Sequence, residues 1–388
     1  MINELNELAI GFDLCSDFSQ ITFYNRKGSE PMTVSLVPGQ EQYQIPTPKD
    51  LFSLVEQRSE LGIQRLAEFF KEGIALLAGA GAPDGLFFML TMKRMRPLWA
   101  DAAIQALGML GIPAENVYLQ DHLESFYYYT MHQKKELRSY NVALFEYERD
   151  RIVGYELRTD YHTKPAFVKV EEAFHFYVDA KARSGMGEAQ WQEEKDRLFL
   201  EKLQEMFQGK TYSSAYLLGE GFDKSWAKRS LTFLCSARRH VFMGQNLFSK
   251  GACYGAMVQC GMSSIRDYLY AGPDMIEYNI GMEMLIRGNA EYYPMISAGI
   301  NWYMARHECE FILDDTQELE FYSRHLNGTQ MAHTVTLTDL PPRPNRATRI
   351  RLRMDFIAKN RCRVRMEDLG LGGLYPSSGK QWEAVIAL

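Results

Sequence analysis

Read from the amino terminus, the apolar positions first describe a hairpin. Ala9-Ile-Gly-Phe-Asp-Leu14 leads into a polar turn, Cys15-Ser-Asp-Phe18, and then into alternating Ser19-Gln-Ile-Thr-Phe-Tyr24. Residues 26–50 are polar and hold Pro31, Pro38, Pro46 and Pro48, which predicts loop and short strand. From Ser59 onward, Ile63, Leu66, Phe70, Ile74 and Leu77 share one helical face, and Gly79-Ala-Gly-Ala-Pro83 stops it. Gly85 to Thr91 reads as a buried strand, and Pro97 opens a helix to Leu110. A short strand from Asn116 to Leu119 precedes an aromatic helix from Asp121 to about Gln133.

Strand signals return at Val142–Tyr147, Ile152–Leu157 and Ala166–Val170, followed by an amphipathic helix from Glu188 to Phe207. Tyr216-Leu-Leu-Gly-Glu-Gly221 reads as a strand ending in glycines, with a helix after it to about Ser236. A last helix is expected from Ser249 to Tyr268, its Gly251, Ala252, Gly255 and Ala256 allowing close packing. Ala271-Gly-Pro-Asp274 then interrupts the pattern and marks a domain boundary. Beyond it come short alternating strands, an Asn327-Gly328 turn and Pro341-Pro342, which predict a small β-sandwich. The pattern before the boundary occurs twice, which gives two α/β lobes, 1–137 and 138–272, and a β module, 275–388.

Composition narrows the function classes. Of 388 residues, 46% are apolar and 24% charged, which suits folded domains rather than disorder. A balance of 43 Lys and Arg against 49 Asp and Glu, net −6, argues against nucleic acid and acidic membrane as partners. No run approaches the ~18 apolar residues of a membrane span. The acidic start Met1-Ile-Asn-Glu-Leu-Asn6 lacks the features of a secretion signal, so a cytoplasmic location is expected. The 6 cysteines are scattered and the 8 histidines dispersed, without the spacing of a zinc site, so no metal is expected. The abundant Met, Tyr and Phe read as core.

The duplicated lobes resemble the superfamily of actin, sugar kinases and seventy-kilodalton heat-shock chaperones. Ile10-Gly-Phe-Asp-Leu14 and its turn look like the first phosphate loop, and Val142-Ala-Leu-Phe-Glu-Tyr147 stands where the second belongs. Tyr216–Gly221 matches the place of the adenosine loop, and Ala252-Cys-Tyr-Gly-Ala256 looks like the closing hinge helix. The chaperone branch resembles the chain best. Asn279-Ile-Gly-Met-Glu283, Leu340-Pro-Pro-Arg-Pro344 and the hairpin 349–366 are similar to its substrate domain. The resemblance implies a reduced two-lobe actin-like ATPase fold, related to ribonuclease H, followed by a chaperone-like β-sandwich. Its implied cofactor is ATP or ADP with magnesium, although the degraded loops leave no cofactor firmly expected.

Under that resemblance Asp13, Ser16, Glu146, Gly219 and Gly221 are the nucleotide-binding candidates, and Asp13 and Asp121 the catalytic ones. Departures weigh against an active cleft. Cys15 stands at a glycine position, and Glu146-Tyr-Glu-Arg-Asp150 replaces an acid followed by three glycines. Glu148 and Asp150 would then face a triphosphate, with Arg149 as a compensating cation. His122-Leu123 replaces a proline-threonine pair, no lysine matches the phosphate-contacting one, and the first lobe is short. Asp13 also reads as a carboxylate held at a strand end, and Gly219 and Gly221 as ordinary strand-ending glycines. Asp121 reads better as a helix cap than as a water-positioning group.

The sharpest local feature is cationic. Arg349, Arg351 and Arg353, and then Arg361, Arg363 and Arg365, alternate with apolar residues, so each trio lies on one strand face. They are partner-binding candidates. Neutralisation by glutamate ladders at Glu308/Glu310 and Glu318/Glu320 is the preferred reading. The function expected is a chaperone-like binding or scaffolding protein, a pseudo-ATPase whose β-sandwich takes a protein or peptide partner. An active but divergent ATPase chaperone and an actin-like filament-forming protein are the alternatives. A sugar kinase fits least, for want of a sugar-deprotonating acid beside intact loops.

Overall fold

The computed structural model describes residues 7–35, 44–77 and 82–388, so Met1–Asn6, Pro38 and the 79–81 part of the expected helix stop lie outside the described residues. The chain divides into two compact units, Met1–Gly272 and Pro273–Leu388.

The first unit opens with β1 (Leu8–Asp13), β2 (Phe18–Tyr24), β3 (Met32–Thr33) and β4 (Ile45–Pro46), followed by α1 (Leu51–Glu56) and α2 (Glu60–Ala75). Next come β5 (Leu86–Met92), α3 (Pro97–Met109), β6 (Val117–Asp121) and α4 (His122–Met131). The strand order is β3-β2-β1-β5-β6, with β1 antiparallel to β2 and parallel to β5, and β5 parallel to β6. Ser59 caps α2 by accepting from Gly62 N–H. The buried face of α2 is turned from the one expected. Leu66 and Phe70 are joined by Gly62, Phe69 and Gly73, whereas Ile63 and Ile74 are only half-buried. Phe12 accounts for this, meeting Phe69 and Phe70 edge-on at 5.6 and 5.2 Å.

The same plan repeats in β7 (Asn141–Tyr147), β8 (Arg151–Asp160), β9 (Ala166–Tyr177), α5 (Glu188–Phe207), β10 (Tyr212–Leu218), α6 (Lys228–Leu234), β11 (His240–Gly244), α7 (Leu247–Gln259) and β12 (Tyr268–Tyr270). Its order is β11-β10-β7-β8-β9-β12, again a central strand with an antiparallel meander on one side and two parallel strands on the other. Two sheets with this order make the actin-like, ribonuclease H-like two-lobe fold. The expected helix Ser249–Tyr268 is corrected: α7 ends at Gln259, Gly261 takes a positive φ, and Tyr268–Tyr270 pairs with β9. Strand β11 was not foreseen, because its side chains are mostly exposed and show no buried stripe.

Helices α4 and α7 lie between the two sheets. Ala252, Cys253 and Ala256 pack on Ala9 and Met89 of the first sheet. Leu247 and Phe248, with Phe126 and Tyr127 of α4, pack on Val142, Leu144 and Tyr155 of the second. The helices touch closely: a Cβ on Gly251 would stand 2.0 Å from the Ser125 carbonyl oxygen. On the other face of the second sheet, Phe199, Leu203 and Phe207 of α5 cover Ala143, Phe145 and Ile152.

The second unit is a β-sandwich of β13 (Tyr278–Ile286), β14 (Asn289–Ile296), β15 (Arg306–Ile312), β16 (Glu318–His325), β17 (Gln330–Thr336), β18 (Arg349–Ala358), β19 (Arg361–Leu371), β20 (Tyr375–Pro376) and β21 (Gln381–Ala387). One sheet runs β14-β13-β16-β17; the other runs β15-β18-β19, with β20 and β21 both on β19. Ile280, Phe321, Ile350, Leu352 and Val364 fill the core between them. The proline turn is anchored to β19 by a buried pair, Arg343 donating to both oxygens of Asp368 at 2.8 Å.

Candidate functional site

Alternation along two central strands points two acids into one space. Asp13 ends β1 on the face of Ala9 and Gly11, and Glu146 lies on the face of β7 that carries Val142 and Leu144. Both faces look toward α4 and α7. The head of α4 supplies His122, whose Nε2 is 2.8 Å from Asp13 Oδ1. The Cys15 thiol donates to the same oxygen at 3.5 Å. Asp13 and His122 are both 5% exposed. The preceding residue, Asp121, caps α4 by accepting from Glu124 N–H at 2.8 Å.

These contacts set the protonation states. Burial opposes charge on His122, yet Asp13, with help from Glu146 and Asp121, holds its pKa above the ordinary value. Burial and then the Asp13 carboxylate push the Cys15 thiol well up, which keeps it protonated and a poor nucleophile. Burial also raises the Glu146 carboxyl, against the pull of His122 and Lys93. The His122 ring stacks on Phe248 at 3.9 Å, and its Nδ1 has no hydrogen-bond partner among the described residues.

The segment after β7 is tied by charge to its own hairpin, to the end of β5 and to the turn after β1. Glu148 takes Arg151 at 2.7 Å and also Lys93, the residue after β5, which sequence reading passes over. Burial acts against the Glu148 carboxylate, but hydrogen bonds from Arg151 and Lys93 hold its pKa below the ordinary value. Arg149 pairs with Asp17 of the first turn, and Gln44 donates to Glu220 at 3.0 Å. Ser16 is exposed on that turn, and the Cys15 N–H instead meets Ser19 Oγ at 3.3 Å. Asp150 is exposed, its carbonyl oxygen accepting from Val178 N–H.

Gly219 and Gly221 have a local reason to be glycine. A Cβ at Gly219 would lie 2.4 Å from the Tyr147 carbonyl oxygen, and one at Gly221 would lie 2.3 Å from the Tyr147 ring. Tyr147 then packs edge-on against Phe222 at 5.5 Å, and Lys195 Nζ sits 4.1 Å above the Trp226 ring. The side chain beside these glycines belongs to the second phosphate-loop segment itself.

In the sandwich, the six arginines lie on the outward face of β18 and β19. Arg351 meets Glu310 at 3.0 Å, Glu367 at 3.3 Å and Glu308 at 3.6 Å. Arg353 meets Glu308 at 3.2 Å, and Arg349 meets Glu310 at 3.4 Å. Asp355 takes both Arg363, at 2.5 Å, and Arg365, at 3.1 Å. Arg361 stands at the turn, without a carboxylate within ion-pair distance among the described residues. The Glu308/Glu310 ladder is therefore in place, and the Glu318/Glu320 ladder is corrected. Those two residues are on β16 in the other sheet, opposite Thr336 and Thr334. Asp355 and Glu367, on the arginine strands themselves, take the role assigned to them.

Comparison with known proteins places residues 53–273 in the family described as "Family of unknown function (DUF5716) C-terminal", and residues 275–388 match "Domain of unknown function (DUF8552)". No curated protein matches the chain. One similar solved structure is a Bacteroides thetaiotaomicron protein with actin-like ATPase fold and unknown function. It is 12% identical with a TM-score of 0.36, covering 65% of this chain and 98% of that one. Another is an inorganic polyphosphate/ATP-glucomannokinase from Arthrobacter sp. strain KM, 12% identical with a TM-score of 0.38, covering 65% and 99%. A third is the Aquifex aeolicus Ppx/GppA phosphatase, type II variant, 11% identical with a TM-score of 0.34, covering 55% and 68%. Likeness at that level adds nothing to the strand orders and registers that define the fold. No helix among the described residues is long and apolar enough to cross a membrane. With more than half of its length matched, the chain belongs to the DUF5716 C-terminal family.

Proposed function

We propose, starting from membership in that family, that this chain is a chaperone-like binding or scaffolding protein rather than an efficient phosphoryl-transfer enzyme. One observation carries the reading. The segment after β7 is held by charge, Glu148 by Lys93 after β5 and by Arg151 of its own hairpin, and one exposed pair, Arg149 with Asp17, joins the two phosphate-loop segments. A triphosphate entering there has to displace these contacts and face Glu148 and Glu146, where transfer chemistry needs positive charge. Tyr147 supports the same reading, because it fills the side of the glycines where a ring could approach. Mixing the purified protein with ATP and magnesium in a calorimeter, alongside a phosphate-release assay, tests it. The expected outcome is weak or absent binding and turnover equal to that of Asp13→Ala. Micromolar binding with Asp13-dependent turnover overturns it in favour of a divergent ATPase.

Residues 275–388 are proposed to fold as a separate module that takes the partner. The resemblance of this module to chaperone substrate domains supports the assignment, as does a groove of about 700 Å³ lined by Met282, Met284, Leu285, Phe311 and Ile312. Leu285 and Ile312 are exposed there, 58% and 49%, and β15 is the edge strand of its sheet. An extended apolar segment of a partner protein fits both features, its backbone pairing with β15 and its side chains entering the groove. A panel of extended apolar peptides, measured by fluorescence anisotropy, should include ligands that Ile312→Lys weakens about tenfold. Equal binding by the variant removes the groove from the proposal.

A further inference from the structure

We propose that Asp13, Cys15 and His122 form a binding site for one divalent transition-metal ion of the zinc class. The three side chains offer a carboxylate oxygen, a sulfur and an imidazole nitrogen, with all three ligand atoms within 4.8 Å of one another. A borderline ion such as zinc accepts this mixed donor set, whereas magnesium prefers oxygen alone, and on binding it displaces to solvent the Cys15 thiol proton and any proton on His122 Nε2, so uptake weakens as pH falls. The separations are near those required. Bonds of about 2.0–2.3 Å in a tetrahedral site put ligand atoms about 3.3–3.8 Å apart. Cys15 Sγ is 3.5 Å from Asp13 Oδ1 already, and His122 Nε2, at 2.8 Å, has to open by about half an ångström.

The surroundings suit a cation that must shed water. Asp13 and His122 are buried, and Glu146, on the face of β7 turned toward the same helices, adds a second carboxylate whose charge is felt there along with that of Lys93. The ring orientation is fixed without the hydrogen bond that metal-bound histidines commonly make, because His122 stacks on Phe248. Cys15 sits on a turn, its N–H held by Ser19 Oγ. Three protein ligands leave a fourth position open, as in zinc sites that keep a water. The residues come from two segments more than a hundred positions apart, so no spacing motif announces them. The site does not depend on the absence of nucleotide turnover, and either reading survives failure of the other.

The test uses the full chain after treatment with chelator, titrated with zinc by calorimetry and separately with cobalt followed by absorbance. One ion per chain is expected, with a near-ultraviolet thiolate-to-cobalt band and the visible bands of a tetrahedral ion. Cys15→Ser should remove the thiolate band, and His122→Gln should weaken zinc binding by about tenfold or more. Cys235→Ser, which changes an exposed cysteine elsewhere, should leave both signals unchanged. Circular dichroism establishes that each variant is folded, and Cys15→Ala replaces any variant that is not. Absence of binding at tens of micromolar zinc overturns the proposal. So does a thiolate band that survives Cys15→Ser, or one lost equally in Cys235→Ser.

Discussion

On the outward face of β18 and β19, arginines recur at every second residue, and carboxylates from β15 and from the same two strands stand opposite them. In the cleft between the lobes, the charges come instead from β1, the residue after β5, the head of α4 and the end of β7. The outer face keeps its water: Arg349, Arg353 and Arg365 are 46–50% exposed, and each pair there exchanges hydration for a screened contact. The buried acids between the lobes have little water to lose, although Lys93 and Arg149 stay 44% and 80% exposed. Asp13 and His122 are 7% and 6% exposed at the side chain and Glu148 15%, so removing a partner there leaves a charge stranded. Ion pairs thus carry unequal weight, and burial decides which.

Strand β19 lets the comparison be broken within a few ångströms, because Glu367 points outward and Asp368 inward. Burial opposes charge on Asp368, but Arg343, Ser378 and the Gly370 N–H hold its carboxyl far below the usual range. Arg343→Met strands that carboxylate, and a loss of about 3–5 kcal/mol is expected from denaturant unfolding of the sandwich. Because the folded pKa is depressed, the pair's contribution is full above the ordinary aspartate value of about 3.9 and fades only as pH falls through the lower folded value. The variant should therefore unfold at higher pH than wild type on acidification. An unchanged acid midpoint would show that Asp368 is not held by Arg343.

The cleft comes next in size. Glu148→Gln keeps the shape and removes the charge that Lys93 and Arg151 share, so a loss of about 1–2 kcal/mol is expected. The two neighbouring glutamates should titrate with opposite signs. The Glu148 pKa is lowered on folding, so its contribution holds above about 4.3 and is lost as pH falls toward the folded value. The Glu146 pKa is raised, so it costs stability as pH rises from about 4.3 through its folded value. Relative to wild type, Glu148→Gln should lose stability as pH rises toward about 4.3, and Glu146→Gln should gain it as pH rises above about 4.3. Equal pH profiles would break the claim that burial dominates at Glu146 while hydrogen bonds from Arg151 and Lys93 dominate at Glu148.

What the chain reveals before folding follows the same division. The arginine face is legible because a period of two needs no long-range knowledge, and Ile350, Leu352, Met354 and Val364 are all buried as the alternation requires. The Asp121 cap is local too, spanning three positions to Glu124. His122 gives no such signal, since its partner Asp13 is 109 positions away and only the pairing of β1, β5 and β6 in one sheet brings them together. Glu318 and Glu320 have the alternation of a ladder, but sandwich topology sends β16 to β13 and β17 while β15 goes to β18. Periodicity reports a face and not a neighbour. The end of α7 differs from the expected one for a related reason: small residues continue to Cys260-Gly261, and the strand at Tyr268 is defined by its pairing with β9.

The smallest effect belongs to the outer face, where it also decides between neutralisation and recognition. Arg351 has three carboxylates within reach and Arg363 has Asp355, so both guanidiniums are held charged beyond their ordinary range. That arrangement leaves little net charge to offer an acidic partner, because Glu308, Glu310, Asp355, Glu367 and Glu383 border the same strands. Truncating either arginine frees its carboxylates into water rather than into a core, so the penalty is slight and screened. The double variant Arg351→Ala, Arg363→Ala should lower the unfolding midpoint a little at low salt, with the difference vanishing at high salt. Binding of the peptides that enter the β13–β15 groove should be the same in the variant and in wild type. A salt-sensitive interaction with an acidic protein, present in wild type and absent from the double variant, would instead make this face a recognition surface. Its charge would then weigh as much as the buried pairs of the cleft, through a partner that excludes the water.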